Sequence, residues 1–571
     1  MQTLVTRTPT PSAPETQWTK CSNCGAFVYH KRLQRNLRVC PECSYHFRLS
    51  ARERLLQLLD PGTAETVTSA VEPTDALRFV DLKPYTARLA DAQQQTGNRD
   101  AALYGTGTIG GLPIVVAIVD FAFMGGSMGS AVGEAITRAA ELALSSRTPL
   151  LVISASGGAR MQEGCVSLMQ MAKTSQAMAR LHEEGILYIS MLTDPTYGGV
   201  TASYAVLGDL LISEPGALIG FAGRKVIEQT IRQKLPDTFQ TAAFLLEHGM
   251  LDLVEPRENM RHVLRKLLML HQRSGSQSLP TTDGQAQIVD AHVLPERPAW
   301  DIVELARNLE RPNTLEYIGY IFDDFQELHG DRLFSDDPAI VGGLASLGDL
   351  TVMVIGHQKG HTTGEMVARN FGMANPEGYR KALRLMQYAA KFGMPIVTLV
   401  DTPGAYPGLG GEERGQSVAI ARAIMEMARL PVPIVTVVTG EGGSGGALGL
   451  AVGDRVLMME NAYYSVITPE GCSVILWKSA AAAPKAAVAL HVTARDLLQL
   501  TIVDGVVPEP EGGAHTDPPV AAANLKAAIV SSLSELLPKP RAELLDERYA
   551  RFRRFGTPGQ QPVLPQTEGA L

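Results

Sequence analysis

The chain is short of several things, and each shortage closes off a class of protein. It has no run of about 18 apolar residues, the length a helix needs to cross a bilayer, so no membrane partner is expected. It has no positive surplus: the formal charge is −8, which argues against a surface given over to nucleic acid. Aromatic side chains make up only 6% of the 571 residues. Residues 1–17 are rich in Thr, Pro and Ser and contain no apolar core, so they read as a disordered tail rather than a secretory signal. No G-x-x-x-x-G-K-[ST] loop is present to cradle nucleotide phosphates. No His–carboxylate constellation marks a general base. Cysteine is scarce too, six in all, and four of them are gathered near the N-terminus. That distribution fits a reducing, cytoplasmic compartment rather than a disulfide framework.

Those four cysteines carry the first positive signal. Cys21 and Cys24 form one C-x-x-C pair, and Cys40 and Cys43 form another after a basic stretch. Each pair can turn two thiolates onto one ion, and four thiolates close a tetrahedral site with no open position. The spacing therefore predicts one structural Zn²⁺ per chain in a ribbon over residues 18–50, too small to hold a core of its own. Lys31, Arg32, Arg35 and Arg38 lie between the pairs and are candidates for a secondary contact with RNA.

Glycine is abundant, with 54 residues, and two glycine turns recur in matching contexts. One is Thr193-Asp-Pro-Thr-Tyr-Gly198-Gly199; the other is Thr439-Gly-Glu-Gly-Gly-Ser-Gly445-Gly446. Each follows an apolar run that reads as a buried strand, and each opens a stretch that reads as a helix. Glycines at a helix N-terminus leave backbone N–H groups unpaired and allow close approach of a ligand, so they can hold a developing oxyanion. Two such turns suggest a reaction with two anions. Strands alternating with helices predict mostly parallel α/β sheets. The predicted organisation is the ribbon, a first large domain over 51–272, a polar linker over 273–298, a second large domain over 299–540, and a charged tail over 541–571. Gly105-x-Gly107-x-x-Gly110 precedes a strand and reads as a hairpin, not a dinucleotide site. Gly442-Gly-Ser444-Gly-Gly446 fits the nucleophile-elbow pattern, which would need Asp454 with His491 or His515 as partners.

Longer blocks carry a family resemblance. In the first half they are Ser156-Gly-Gly-Ala-Arg160-Met-Gln-Glu163 and Thr193-Asp-Pro-Thr-Tyr-Gly-Gly199, behind the cysteine ribbon. In the second they include Arg369-Asn-Phe-Gly-Met373, Asp401-Thr-Pro-Gly-Ala-Tyr-Pro407 and Gly442-Gly-Ser-Gly-Gly-Ala447. The first half resembles the beta subunit, and the second the alpha subunit, of the bacterial acetyl-CoA carboxylase carboxyltransferase, here fused in one chain. The resemblance implies two crotonase-like (ClpP/crotonase) domains in tandem. It implies transfer of a carboxyl group from carboxybiotin, borne on biotin carboxyl carrier protein, to acetyl-CoA, with a separate biotin carboxylase using ATP. A carboxyltransferase for propionyl-CoA or another acyl-CoA is the alternative. Gly198 and Gly199 are then expected to face the thioester enolate, and Gly445 and Gly446 the biotin oxygen. Arg160, Lys225, Lys359 and Arg455 are candidates for CoA phosphates or the carboxylate. Sites shared between halves imply at least a homodimer.

Overall fold

The structure, a computed structural model, describes residues 17–67, 72–276, 278–560, 562 and 564. Apart from Gln17, the tail predicted over 1–17 lies outside the described residues. The chain divides into two compact units, 1–269 and 270–571.

The first unit begins with the ribbon. Strands β1 (Trp18–Lys20) and β2 (Phe27–Tyr29) pair antiparallel, and helix α1 (His30–Arg35) follows. Helix α2 (Ala51–Leu58) starts at Ser50, whose side chain and that of Glu53 cap each other's backbone N–H. Then come β3 (Glu65–Val67), α3 (Tyr85–Thr96), β4 (Ala102–Ile109), β5 (Leu112–Val119), α4 (Ser130–Ser146), β6 (Leu150–Ser156), α5 (Cys165–Glu183) and β7 (Tyr188–Tyr197). The unit closes with β8 (Leu210–Ser213), β9 (Ile219–Gly220), α6 (Arg224–Ile231), α7 (Ala242–Glu247), β10 (Leu253–Val254) and α8 (Arg257–Gln272). The sheet runs β10-β8-β7-β6-β5-β4-β3, with β9 against the end of β7. It is parallel from β10 to β5 and antiparallel from β5 to β3. Every residue of β6 is buried, as a parallel strand covered on both faces requires. The Gly110–Gly111 turn between β4 and β5 is the hairpin expected from the sequence.

The second unit contains α9 (Ala299–Ala306), α10 (Thr314–Ile321), β11 (Phe325–Glu327), β12 (Ile340–Leu347), β13 (Leu350–His357), α11 (Thr363–Ala368), α12 (Pro376–Lys391), β14 (Ile396–Thr402), α13 (Leu409–Glu413), α14 (Gln416–Met427) and β15 (Ile434–Gly443). It continues with α15 (Ser444–Leu448), β16 (Arg455–Met459), β17 (Tyr463–Ser465), α16 (Pro469–Leu476), α17 (Ala483–Ala489), α18 (Ala494–Gln499), β18 (Gly505–Val507), α19 (Pro518–Leu536) and α20 (Arg541–Arg553). Its sheet, β11-β12-β13-β14-β15-β16-β18 with β17 beside β15, repeats the plan of the first: an antiparallel edge followed by parallel strands.

The repeat extends to single atoms. Asp209 accepts the Tyr188 N–H at the start of β7, and Asp454 accepts that of Ile434 at the start of β15. Met124, Gly125 and Gly126 all have positive φ, and so do Asn370, Phe371 and Gly372.

Three expectations fail. The charged segment from 541 is not a tail but α20, because Arg548 is buried against Asp454 and the carbonyls of Met427, Leu430 and Val432. The polar segment 273–298 is not a free linker: Ile288 bridges Val506, and Gln285 N–H reaches Asn524. The chain after Gly199 makes turns and one short 3₁₀ segment, Tyr204–Val206, rather than a helix. Helices α13 and α14 are separated at Gly415, which has φ 81°.

Candidate active site

The two glycine turns sit at the C-terminal ends of parallel strands, where open α/β sheets place their ligands. In the first unit, Ser156 ends β6 and its Oγ accepts the Gly158 N–H at 3.1 Å. Thr193 and Thr196 on β7 both donate their hydroxyls to the Ser154 carbonyl, at 2.8 and 3.0 Å, and so fix where that strand ends. Gly198 follows with φ 64°. Its N–H donates to the Phe221 carbonyl at 2.9 Å, so it is not a free donor as expected. The Gly199 N–H has no acceptor among the described residues. Nor has that of Ala159: its neighbours use Gly158 O and Arg160 N to bridge Met128, which turns the Ala159 amide the other way. A Cβ placed on Gly199 would lie 3.6 Å from the Ala159 nitrogen, and one on Gly158 3.6 Å from the Gly199 nitrogen. Two unpaired N–H groups on adjoining strand ends therefore border one small space.

The second unit repeats this with a shift from the expected pairing. Thr402 Oγ1 accepts the Gly404 N–H at 3.1 Å, as Ser156 does for Gly158. Register places Thr196 beside Ser156 and Gly442 beside Thr402. Counting on from these, Ser444 stands where Gly198 does, and Gly445 where Gly199 does. Ser444 has φ 53°, the same left-handed backbone as Gly198. The structural counterparts are thus Gly199 with Gly445 and Ala159 with Ala405. Gly445 sits in the first turn of α15, where N–H groups have no acceptor within the helix. A Cβ on Gly445 would meet nothing within 4 Å, whereas one on Gly446 would lie 2.3 Å from the Ala405 nitrogen. Gly446 is there for close packing and Gly445 faces open space. The alanines were missed by sequence reading, although Ser-Gly-Gly-Ala159 and Thr-Pro-Gly-Ala405 display the parallel.

The four predicted cations fall in four different settings. Arg160 is buried, and all its donors are taken: Asp100 at 2.7 Å on both Nη atoms, Tyr85 OH at 3.1 Å, Ser127 O at 2.9 Å and Ser127 Oγ at 3.2 Å. It fixes the Gly157–Ala159 turn and offers nothing to a phosphate. Lys359 is likewise enclosed, 2.8 Å from Asp401 and 2.7 Å from Glu441. Arg455 begins β16, paired in register with Val435 near the start of β15. It therefore lies at the far end of the sheet from Gly445, bound to Glu535 at 2.8 Å. Only Lys225 is exposed, on α6, four residues after the carbonyl that holds Gly198. Two further cations went unnoticed in the sequence. A cleft of about 510 Å³ opens beside Ala159, lined by Gly125, Gly157, Phe121 and Met161, with Lys83 and Arg88 among its walls. Nothing local in the sequence marks those two; long-range packing of the start of α3 brings them there.

Beneath the second turn lies a buried ionic cluster. Glu441 takes Lys359, Arg307 at 2.8 Å and the Tyr463 hydroxyl at 2.6 Å. Asp401 Oδ1 also accepts the Glu441 N–H at 2.8 Å. Burial pushes the Glu441 carboxyl up, but the two cations outweigh it and hold it at about 2. Burial likewise opposes charge on Lys359, and its two carboxylate partners raise it above its ordinary value. The pair stays ionised and rigid.

The ribbon cysteines fit zinc. All four sulfurs lie within 4.8 Å of one another, with Cys21–Cys43 at 3.7 Å and Cys24–Cys40 at 3.9 Å. A tetrahedron with Zn–S bonds of about 2.3 Å has edges of about 3.8 Å. The ribbon is fastened to the body by a buried triad: Arg54 and Arg257 both grip Glu214, and Arg257 reaches the Leu37 carbonyl at 2.8 Å. Of the four basic residues between its cysteine pairs, Arg32 is paired with Glu42 and Arg38 with Glu53, leaving Lys31 and Arg35 exposed and outside any ion pair among the described residues. The serine-nucleophile reading fails, because Asp454 is consumed by Arg548 and the Ile434 N–H at the opposite end of the strands.

Known proteins resemble this chain over nearly its whole length. The family described as acetyl co-enzyme A carboxylase carboxyltransferase-like matches residues 250–556, and the acetyl-CoA carboxylase zinc finger domain matches residues 18–43. An acetyl-coenzyme A carboxylase carboxyl transferase subunits beta/alpha from Saccharopolyspora erythraea is 55% identical over 96% of both chains. The protein of that description from Salinispora tropica is 54% identical over 95% of this chain and 97% of its own. A crystal structure of the 12S transcarboxylase, with methylmalonyl-coenzyme A and methylmalonic acid bound, superposes with a TM-score of 0.69 at 23% identity. It covers 86% of this chain and 90% of its own, and shows the shared crotonase-like fold. No single helix among the described residues is long and apolar enough to cross a membrane. With its four-cysteine zinc site and its two matched donor turns, this chain belongs to the acetyl-CoA carboxylase carboxyltransferase family, its beta-type and alpha-type parts joined in one polypeptide.

Proposed function

We propose that this chain moves the carboxyl group of carboxybiotin, presented by biotin carboxyl carrier protein, to acetyl-CoA, giving malonyl-CoA. The observation that carries the reading is the pair of matched donor sets, Ala159 with Gly199 and Ala405 with Gly445. Carboxybiotin supplies carbon dioxide and, having released it, a ureido nitrogen able to take the methyl proton of acetyl-CoA. The chain's part is electrostatic. Ala159 and Gly199 hold the thioester oxygen as the enolate forms. Ala405 and Gly445 hold the ureido oxygen, over the ion-paired floor of Lys359, Asp401 and Glu441. Fixed donors of this kind are each worth about 10²–10³ in rate. Lys83 and Arg88, although paired with Asp91 and Asp81, are with Lys225 the cations this reading assigns to the CoA phosphates; it gives Arg160 and the Lys359 cluster the part of positioning the turns.

The working form in this reading is at least a dimer of the fused chain. Biotin carboxylase is the partner that charges the carrier, and the site of action is a reducing, cytoplasmic compartment. The test is steady-state turnover of Gly199→Ala and Gly445→Ala: each should lose activity while keeping zinc and fold. A second reading, a longer acyl-CoA, has one observation in its favour. A recess of about 200 Å³ lies behind the Gly198 turn, walled by Leu192, Val206, Ile219, Leu245 and Met250. Comparing kcat/KM for malonyl-CoA and methylmalonyl-CoA decides between them. A contact of Lys31 and Arg35 with RNA is a secondary role, tested by salt-dependent binding lost when both are neutralised.

A further inference from the structure

Arg307 stands at the C-terminal end of α9, a helix that buries Ala299, Ile302, Val303 and Ala306 and packs on β15 and β17. From that fixed base its guanidinium reaches three other elements. Nε donates to Glu441 Oε2 on β15 at 2.8 Å, and Nη2 donates to the Tyr463 hydroxyl on β17 at 3.3 Å. Both Nη atoms donate to the Glu470 carboxylate of α16, at 2.5 and 3.1 Å. A two-point fork of this kind fixes direction as well as distance. Burial opposes the charge on Arg307, but Glu470 and Glu441 raise it above its ordinary value, so the tie stays ionised.

Helix α16 depends on such a tie. Of its eight residues Pro469, Cys472 and Ser473 are buried, whereas Val474, Ile475 and Leu476 are exposed. A helix with so little apolar burial opens easily unless polar bonds hold it. The grip on Glu470, in the first turn of α16, supplies one from a rigid neighbour.

What this grip fixes lies beside the second donor turn. Glu441 pairs with Tyr463, Gly442 with Tyr464 and Gly443 with Ser465, so Ser444 and Val466 leave the sheet side by side. The first unit takes the same step: Thr196 pairs with Ile219 and Tyr197 with Gly220, and Gly198 then meets Phe221. Val466 is therefore the counterpart of Phe221, and both are 73% exposed. Each donor turn thus has an exposed apolar side chain at the same place on its rim. In the second unit that residue stands four positions before Glu470, in the short run Val466–Thr468 that leads into α16.

We propose that Arg307 is a positioning residue for the second donor turn. By gripping Glu441 and Glu470 together it sets where Val466–Thr468 lies against Ser444 and Gly445. It thereby shapes the seat of the ring-bearing co-substrate and not that of the acyl-CoA. This rests on the reading that Gly445 meets the ureido oxygen.

Two readings of Arg307→Gln and Glu470→Gln in the full chain test it: steady-state decarboxylation of malonyl-CoA at varied free biotin, and hydrogen–deuterium exchange. Glu470→Gln cuts the tie from its more exposed end and leaves Glu441 paired with Lys359, so the fold is kept. Glu304→Gln, on the exposed side of α9, is the control. Each tie variant should raise KM for biotin about tenfold, the loss of one charge-assisted contact, with KM for malonyl-CoA and the melting temperature unchanged. The double variant should be no worse than Arg307→Gln alone, because the two residues act as one unit. Exchange over residues 466–476 should quicken in both variants and not in the control. An unchanged KM for biotin, or both KM values rising together, overturns the proposal, and so does unaltered exchange over 466–476. Absence of biotin-dependent turnover in the wild type would sink the reading of the reaction, and exchange, which needs no turnover, would still decide whether Arg307 holds this segment.

Discussion

Gly445 and Gly446 are adjacent, yet an added methyl meets opposite surroundings at the two. At Gly445 it enters open space; at Gly446 it strikes the Ala405 nitrogen at 2.3 Å. Gly445→Ala should therefore keep its melting temperature while kcat/KM falls about 10²-fold, by intruding where we propose the oxyanion sits. Gly446→Ala should lose stability and activity together, and differential scanning fluorimetry alongside the malonyl-CoA assay separates the two cases. Glu441 makes a prediction about acid. Its carboxyl stands at about 2 in the fold against 4.5 when free. A carboxylate depressed on folding contributes stability above its free value, and that contribution is lost as pH falls toward the folded one. Urea unfolding from pH 7 to 3 should show Glu441→Gln less stable by about 3 kcal/mol at neutral pH, with the gap closing below pH 4.5. Both glycine turns are legible in the sequence, but which amide in each is free is not. Gly198 loses its N–H to Phe221, a partner more than twenty residues away that no local pattern reveals.

Among the elements, those that depend on local pattern were readable and those that depend on distant partners were not. The apolar runs before the two glycine turns marked β7 and β15 because a parallel interior strand must be apolar on both faces. The cysteine spacing marked the ribbon because ligand geometry is local. By contrast, α20 looks like a charged tail, since its four arginines and three acids declare themselves, while the buried bonds of Arg548 to Asp454 do not. The ribbon's attachment was equally hidden. Glu214 holds Arg54 and Arg257, and Arg257 holds the loop at Leu37. Removing the central charge strands two buried guanidinium groups, so Glu214→Gln should cost about 3–5 kcal/mol. The ribbon should then become sensitive to limited proteolysis. Chelation makes the converse cut. Stripping zinc should release one equivalent per chain and unfold the ribbon, whereas the two large sheets, whose cores are independent of it, should retain their circular dichroism.

At the scale of the whole molecule, one chain carries two versions of a single device: a left-handed residue after a parallel strand, a following glycine with its N–H free, and an alanine amide facing it from the neighbouring strand. They differ in what lies beneath. The first rests on the neutralised Arg160–Asp100 pair, the second on Lys359 between Asp401 and Glu441. A reaction with two anions of different origin has a use for both. The most direct measurement is the reverse reaction: consumption of malonyl-CoA by the purified chain, with and without free biotin. Acetyl-CoA formation that depends on biotin, and that falls sharply in both Gly199→Ala and Gly445→Ala, is the predicted result. Turnover indifferent to biotin, or untouched by either glycine substitution in a folded, zinc-loaded protein, would contradict it.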